Sequence, residues 1–197
     1  MLPRPEEEAI TAHVRTGPPG PPWTVVQVRP APIEGAAVLA RELVGRLGDV
    51  EPELVRAARE ALDDPGISVV EPALLATRLG AKALHDLTEG GLAVGLHEMA
   101  SAAGARISIE NEAVLWFEPG LAVCSALGAD PWSTLASGTL VAVFPSDMVD
   151  AALAAFAEHG HPAARIGVVE EGSGVYDSAG APLPWSERDE VARLLTA

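Results

Sequence analysis

His85-Asp86-Leu87-Thr88-Glu89-Gly90-Gly91-Leu92 is the stretch on which the reading of this chain turns. It sets an acid, a hydroxyl and a glycine pair side by side, just ahead of Ala93–Ala103, whose composition predicts a helix. The stretch reads as a loop handing over to that helix. A helix start offers unpaired N–H groups and a partial positive charge, which suits an anion or a phosphate. Glycine there lets a ligand approach the backbone and lets φ become positive. A local reading competes with this one: Asp86 or Thr88 caps the helix, and Gly90-Gly91 is a structural turn.

Outward from this stretch, the helix 90–103 places Leu92, Leu96, Met99, Ala100 and Ala103 on one stripe, with His97, Glu98 and Ser101 opposite. Upstream, Thr24-Val-Val-Gln-Val-Arg29 predicts a strand ended by Pro30 and Pro32. Helices are expected over Ile33–Leu47, Pro52–Leu62 and Glu71–Leu79, with a turn at Asp63-Asp64-Pro65-Gly66 and an extended or short piece at Ile67–Val70. Downstream, Arg106–Glu110 alternates as a half-buried strand and Pro119–Leu127 is helical. Gly138–Phe144 is a nearly continuous apolar strand in the sheet interior. A helix at Asp147–His159, strands at Ala164–Glu170 and Val175–Asp177, and a capped helix starting at Ser186 complete the chain. This order suits helices layered on a mixed sheet.

Residues 1–22 read as an arm, with a helical pattern at Glu6–Val14 and a stiff proline spacer at Gly17–Pro22. The folded domain is expected over 23–197. With 28 acids against 13 bases the formal charge is −15, which argues against nucleic-acid or anionic-lipid partners. Lys82 is the sole lysine and Cys124 the sole cysteine, so no internal disulfide forms, and Cys124 in its apolar run is expected to be a buried thiol. The acidic, proline-broken start does not look like a signal peptide, and no apolar run reaches the ~18 residues of a membrane span. A cytoplasmic location is the expectation.

The five histidines show no metal-ligand spacing, so no metal site is assigned. Neither a G-x-S-x-G elbow, a P-loop nor a Rossmann fingerprint occurs. Glu110, Glu112, Glu170 and Glu171 read as solvated strand ends. Leu135-Ala-Ser-Gly-Thr-Leu140 is a second glycine turn, with a Ser137 side-chain bond as its local reading.

Taken in order, Val25-Val-Gln-Val-Arg-Pro-Ala-Pro-Ile-Glu-Gly-Ala-Ala-Val-Leu-Ala40, His85–Leu92 with Leu96-His-Glu-Met-Ala100 behind it, and Ala136-Ser-Gly-Thr-Leu-Val141 resemble the C-terminal domain of the aminoimidazole-ribonucleotide (AIR) synthase superfamily. The loop style is most similar to the hydrogenase-maturation carbamoyl dehydratases. The resemblance implies an α+β fold of three layers, α/β/α, on a mixed sheet with partial ferredoxin-like topology. It implies Asp86, Thr88, Gly90 and Gly91 as contacts to a phosphate-bearing ligand, with Ser137 and Gly138 as a second edge. No catalytic residue is assigned. Family members bind ATP between two domains, and this sequence leaves no room for the N-terminal, metal-ATP-binding one. Glu89 stands where many relatives carry arginine or a small residue, and Ser137 where the dehydratases carry glutamate. Those enzymes end in a reactive cysteine, whereas this chain ends Arg193-Leu-Leu-Thr-Ala197. The expectation is a domain inactive alone and requiring no cofactor, which binds a phosphate-bearing ligand or a partner subunit and self-associates. The alternative is half of a split ATP-dependent enzyme, with ATP and magnesium entering only with a separate ATP-binding subunit.

Overall fold

The computed structural model describes residues 22–196, so the expected arm lies outside the described residues apart from Pro22. Six strands form one mixed sheet: β1 (Trp23–Val28), β2 (Ala83–Asp86), β3 (Arg106–Ile109), β4 (Leu140–Pro145), β5 (Ala163–Glu170) and β6 (Gly174–Asp177), in the order β2-β4-β1-β5-β3-β6. All neighbours are antiparallel except β3 and β6. β1 and β4 carry the β-branched runs and are interior strands, as continuous apolar sequence requires.

Strand alternation sorts the core onto two faces. Val25, Val141, Val143, Ile107 and Ile109 meet Leu92, Leu96 and Met99 of α4 (Gly91–Ala103). Val26, Val28, Ala142 and Phe144 meet Leu75 of α3 (Val70–Arg78) and Phe156 of α6 (Val149–Glu158) on the other side. The expected α/β/α layering follows from these two clusters. A third cluster, built on Leu39, Val123, Leu127, Val191 and Leu194, joins α1 (Glu34–Glu42), α2 (Pro52–Glu60), α5 (Glu118–Leu127) and α7 (Glu190–Leu195) beside the sheet.

Four local expectations need correction. His85 and Asp86 are not loop: they close β2, which pairs with β4 in the register Ala83↔Val143 to Asp86↔Leu140. A four-residue edge strand with two polar members shows little periodicity, and only the pairing with β4 reveals it. The helix expected over 33–47 stops at Glu42, and Val44–Arg46 is a separate 3-10 turn. Val70 already belongs to α3, and no strand forms over 67–70. The last helix starts at Glu190, later than the Ser186 start expected, because Asp189 accepts a hydrogen bond from the Val191 N–H and is its cap.

The candidate site: two glycine turns and a shared peptide group

One peptide group links all the motifs that the sequence singles out. The Leu135 carbonyl accepts from the Gly35 N–H at 2.9 Å, and the Ala136 N–H donates to the Thr88 carbonyl at 3.2 Å. Leu135 C=O and Ala136 N–H are the two halves of a single amide. The Ile33-Glu34-Gly35 entry into α1 and the 85–92 stretch therefore meet at the second glycine turn. Thr88 O also accepts from Gly91 N at 3.1 Å, and Leu87 N donates to Thr139 O at 3.1 Å. Asp86, Thr88 and Glu89 are exposed and Ser137 is half-buried, while Gly90, Gly91 and Gly138 are buried.

The glycines answer to backbone crowding. Gly91 has φ of +65°, and a Cβ there would lie 2.6 Å from the carbonyl oxygens of both Thr134 and Trp132. Gly138, with φ of +100°, would press a Cβ against Ile67 Cα at 3.1 Å and Gly66 O at 3.2 Å. Both positions are set by packing between loops, whatever else they contact.

Of the two local readings, Gly90-Gly91 does form a structural turn, but neither the Asp86 or Thr88 cap nor the Ser137 side-chain bond is formed. α4 has Gly90 in the left-handed region at its start, and no side chain caps it there. Ser137 makes no side-chain hydrogen bond among the described residues; the turn closes through Thr139 N to Ala136 O at 3.0 Å. The Gly90 N–H is taken by Asp189 Oδ2 at 2.8 Å, while Asp189 Oδ1 accepts from Val191 N at 2.8 Å. Asp189 thus sits against the glycine turn from 99 residues away in sequence. Desolvation raises its carboxyl pKa, and these two backbone bonds oppose the rise. Its neighbour Glu190 accepts from the Asp130 N–H at 3.1 Å and pairs with Arg193. Sequence reading placed a cap near 186–190 but had no signal for its target.

A second residue escaped the sequence reading. Arg29, buried at 7 % exposure and with φ of +70°, donates to the carbonyls of Ser68, Pro65 and Gly66 at 3.0, 2.5 and 2.7 Å. Burial lowers its guanidinium pKa. It holds the 65–68 turn in the place where that turn packs on Gly138. An arginine closing an apolar strand before two prolines was the available clue.

Asp86 ends β2 beside a cleft of about 450 Å³ lined by α3 residues, including Val70 and Leu74, together with Leu84, His85 and Leu140. Desolvation raises the Asp86 carboxyl pKa, His85 opposes the rise and Glu34 adds to it. His85 Nε2 lies 2.7 Å from Glu98 on α4. Among the described residues no group of three or more His, Cys, Asp or Glu side chains is placed to hold a metal ion. No helix among them is long and apolar enough to cross a membrane. Cys124 is buried, 3.6 Å from the Thr134 hydroxyl, and burial pushes its thiol pKa up to about 11.

Fold and site together define a three-layer α/β domain in which two glycine turns and the start of α1 meet at one amide. Residues 24–178 match the family described as AIR synthase related protein, C-terminal domain, and the chain belongs to that family. Among curated relatives, the carbamoyl dehydratase HypE of Azotobacter vinelandii is 31% identical over 169 residues, covering 81% of this chain and 47% of that protein. HypE of Rhodobacter capsulatus is 31% identical over 155 residues, covering 74% and 43%. A crystal structure of Escherichia coli HypE superposes with a TM-score of 0.69 at 26% identity, over 92% of this chain and 55% of that one. The chain thus spans about half the length of these relatives.

Proposed function

We propose that this domain is the C-terminal half of an ATP-dependent system, inactive by itself, which presents the Asp86–Gly91 and Ser137–Gly138 face to a separate ATP-binding partner. The observation that supports the reading is the shared Leu135–Ala136 amide, which bonds to both Gly35 and Thr88 and joins the three motifs at one junction. The HypE-type relatives carry about as much chain again beyond the matched part, and one solved HypE is described in complex with ATP.

The electrostatics of the face favour a partner over free phosphate. Between Asp86 and Gly91 the chain carries two acids and no base, and the Gly90 N–H is already given to Asp189. A bare phosphate would meet repulsion there. A phosphate delivered with its own divalent cation, or with cationic side chains on another domain, would not. In that arrangement the Thr88 and Ser137 hydroxyls donate to phosphate oxygens and Asp86 faces the cation. Carbamoyl dehydration or another phosphoryl-transfer reaction would then require both halves.

The test mixes the purified chain with a separately expressed ATP-binding half of a HypE-type relative and follows ADP release. Turnover that appears only on mixing, and falls at least tenfold with Asp86→Ala or Ser137→Ala, supports the reading. Turnover by the chain alone, or none in the mixture despite a complex, would overturn it. Thermal-shift measurements with ATP, ADP, AMP and phosphate should show no stabilisation of the chain alone, since a ligand bound only by the native state must raise the melting point.

A further inference from the structure

Arginine gathers where α1 gives way to α2. α1 ends at Glu42, a 3-10 turn follows at Val44–Arg46, and Pro52 opens α2. Leu47 N bonds to Val44 O at 3.2 Å and Val50 N to Leu47 O at 3.1 Å, and the folded connection sends Leu47 into the third core cluster. A side chain ties the two helices together, Arg41 Nε donating to Arg59 O at 2.7 Å. Helices and connection enclose a cleft of about 650 Å³, within the size range of small-molecule sites. Val44, Leu47, Val50 and Val55 give it an apolar lining. Leu47 is buried, whereas Val44 stands 48% exposed. A Cβ at Gly48, which also lines the cleft, would meet nothing within 4 Å.

The charge of this cleft runs against that of the chain. Arg41, Arg56 and Arg59 line it and Glu60 is its one acid, in a sequence of 28 acids and 13 bases. The three guanidiniums are not equivalent. Arg56 is taken by Glu53 at 2.9 Å and Glu60 at 3.0 Å. Arg41 gives its Nε to the Arg59 carbonyl and lies 3.9 Å from Asp63. The exposed Arg59 guanidinium makes no hydrogen bond and no ion pair among the described residues. A cation without a counter-charge therefore borders an apolar cleft. The cleft beside Asp86 is the contrast: it is apolar through Val70, Leu74 and Leu84, but it has no arginine or lysine and carries a carboxylate.

We infer that the α1–α2 cleft binds a small molecule with an apolar body and a single carboxylate. The body lies against Val44, Leu47 and Val55, where it removes apolar surface from water. The carboxylate accepts the paired hydrogen bonds that a guanidinium fork offers, at Arg59. A dianion such as a phosphate monoester fits less well, because Glu53 and Glu60 already stand at Arg56 and one unpaired cation is left. The acid excess elsewhere does not forbid the site, since exposed charges more than about 8 Å away are largely screened at physiological ionic strength. No lining residue belongs to the Asp86–Gly91 or Ser137–Gly138 face, so the inference stands apart from what that face binds.

Octanoate is the probe, titrated into the ¹⁵N-labelled full chain and followed by amide chemical shifts. Saturable shifts should centre on residues 41–60, with a Kd on the order of 1–10 mM for a ligand of this size. 1-Octanol, which lacks the charge, and acetate, which lacks the body, should each bind at least fivefold more weakly. Arg59→Gln should weaken octanoate at least fivefold and leave 1-octanol within about twofold. Val44→Asp, which sets an acid on the exposed wall, should weaken octanoate as much. Both positions are exposed, and far-UV circular dichroism checks that the variants fold. The inference is overturned by an absence of saturable shifts up to ~20 mM, or by shifts centred on residues 69–77 of the other cleft. Octanoate binding indifferent to Arg59→Gln, or octyl phosphate binding more tightly than octanoate, would overturn it as well.

Discussion

At the scale of single residues, Arg29 and Gly91 hold the candidate face together by different means. Arg29, itself buried, donates to three carbonyls of the partly exposed 65–68 turn through part-buried bonds. Truncation to alanine removes those bonds and the buried stem that carries them, so Arg29→Ala should cost about 1–3 kcal/mol, read as a lowered urea midpoint. Arg29→Lys should recover only part of it, since one ammonium cannot reproduce the guanidinium fork. Gly91 and Gly104 make a controlled comparison. Both have positive φ, +65° and +59°, but a Cβ at Gly104 meets nothing within 4 Å while one at Gly91 would meet two carbonyl oxygens at 2.6 Å. Gly104→Ala should therefore cost only the left-handed strain, about 1 kcal/mol. Gly91→Ala should cost at least twice as much and shift the 132–134 backbone. Equal losses for the two variants would show that the loop gives way more easily than its packing implies.

At the scale of elements, α7 does more than end the chain. It lies beyond the family match at residues 24–178, yet Asp189 bonds the Gly90 turn, Glu190 bonds Asp130, and Val191 and Leu194 enter the third core cluster. Truncation after Trp185 should lower stability by about 2–4 kcal/mol, the burial of two aliphatic side chains less the entropy of ordering the helix. A melting curve for residues 1–185 checks it. The two acids of this helix titrate with opposite sign. Arg193 holds the Glu190 carboxyl below its ordinary value. Its stabilising contribution is complete above the unfolded-state pKa and is lost as pH falls through the depressed folded value. Asp189 is raised by desolvation, so its contribution is present below the unfolded pKa and fades as pH rises through the folded one. Glu190→Gln should thus be less stable than wild type at neutral pH, with a gap that narrows as pH falls below the ordinary glutamate range and closes once it has passed the depressed folded pKa. Urea midpoints at several pH values would show whether it does. Long elements were legible in the sequence because periodicity accumulates along them: β1, β4, α4 and α6 stand close to where their patterns put them. β2, the break after Glu42 and the Asp189 contact were not legible. β2 and the Asp189 contact are decided by partners distant in sequence, β4 and the glycine turn, and the break after Glu42 by the 3-10 turn and α2 that follow it. The members of the candidate face were legible as motifs, while their junction through one amide, and Arg29 behind it, needed the fold.

At the scale of the whole molecule, charge and fold pull in opposite directions. The chain folds its described part into one mixed sheet with helices on both faces and a helical cluster beside it, and it does so carrying 28 acids against 13 bases. The ion pairs that offset this excess are mostly exposed, such as Arg56 with Glu53 and Glu60 and Arg165 with Asp150, and such pairs contribute little. The remaining acids repel one another, more strongly in the compact state than in the expanded one. Salt should relieve that repulsion. Raising NaCl from about 10 mM to about 100 mM shortens the screening length from roughly 30 Å to roughly 10 Å. A gain of about 1 kcal/mol would lift the melting midpoint of a chain this size by about 2–4 °C. Scanning calorimetry across that range checks it at fixed pH and fixed protein concentration, the latter because self-association would itself move the midpoint. A midpoint that falls with salt would mean that the few favourable pairs outweigh the repulsion of the acid excess. The acidic surface would then have to be sought as a contributor to partner recognition and no longer as a cost to the fold.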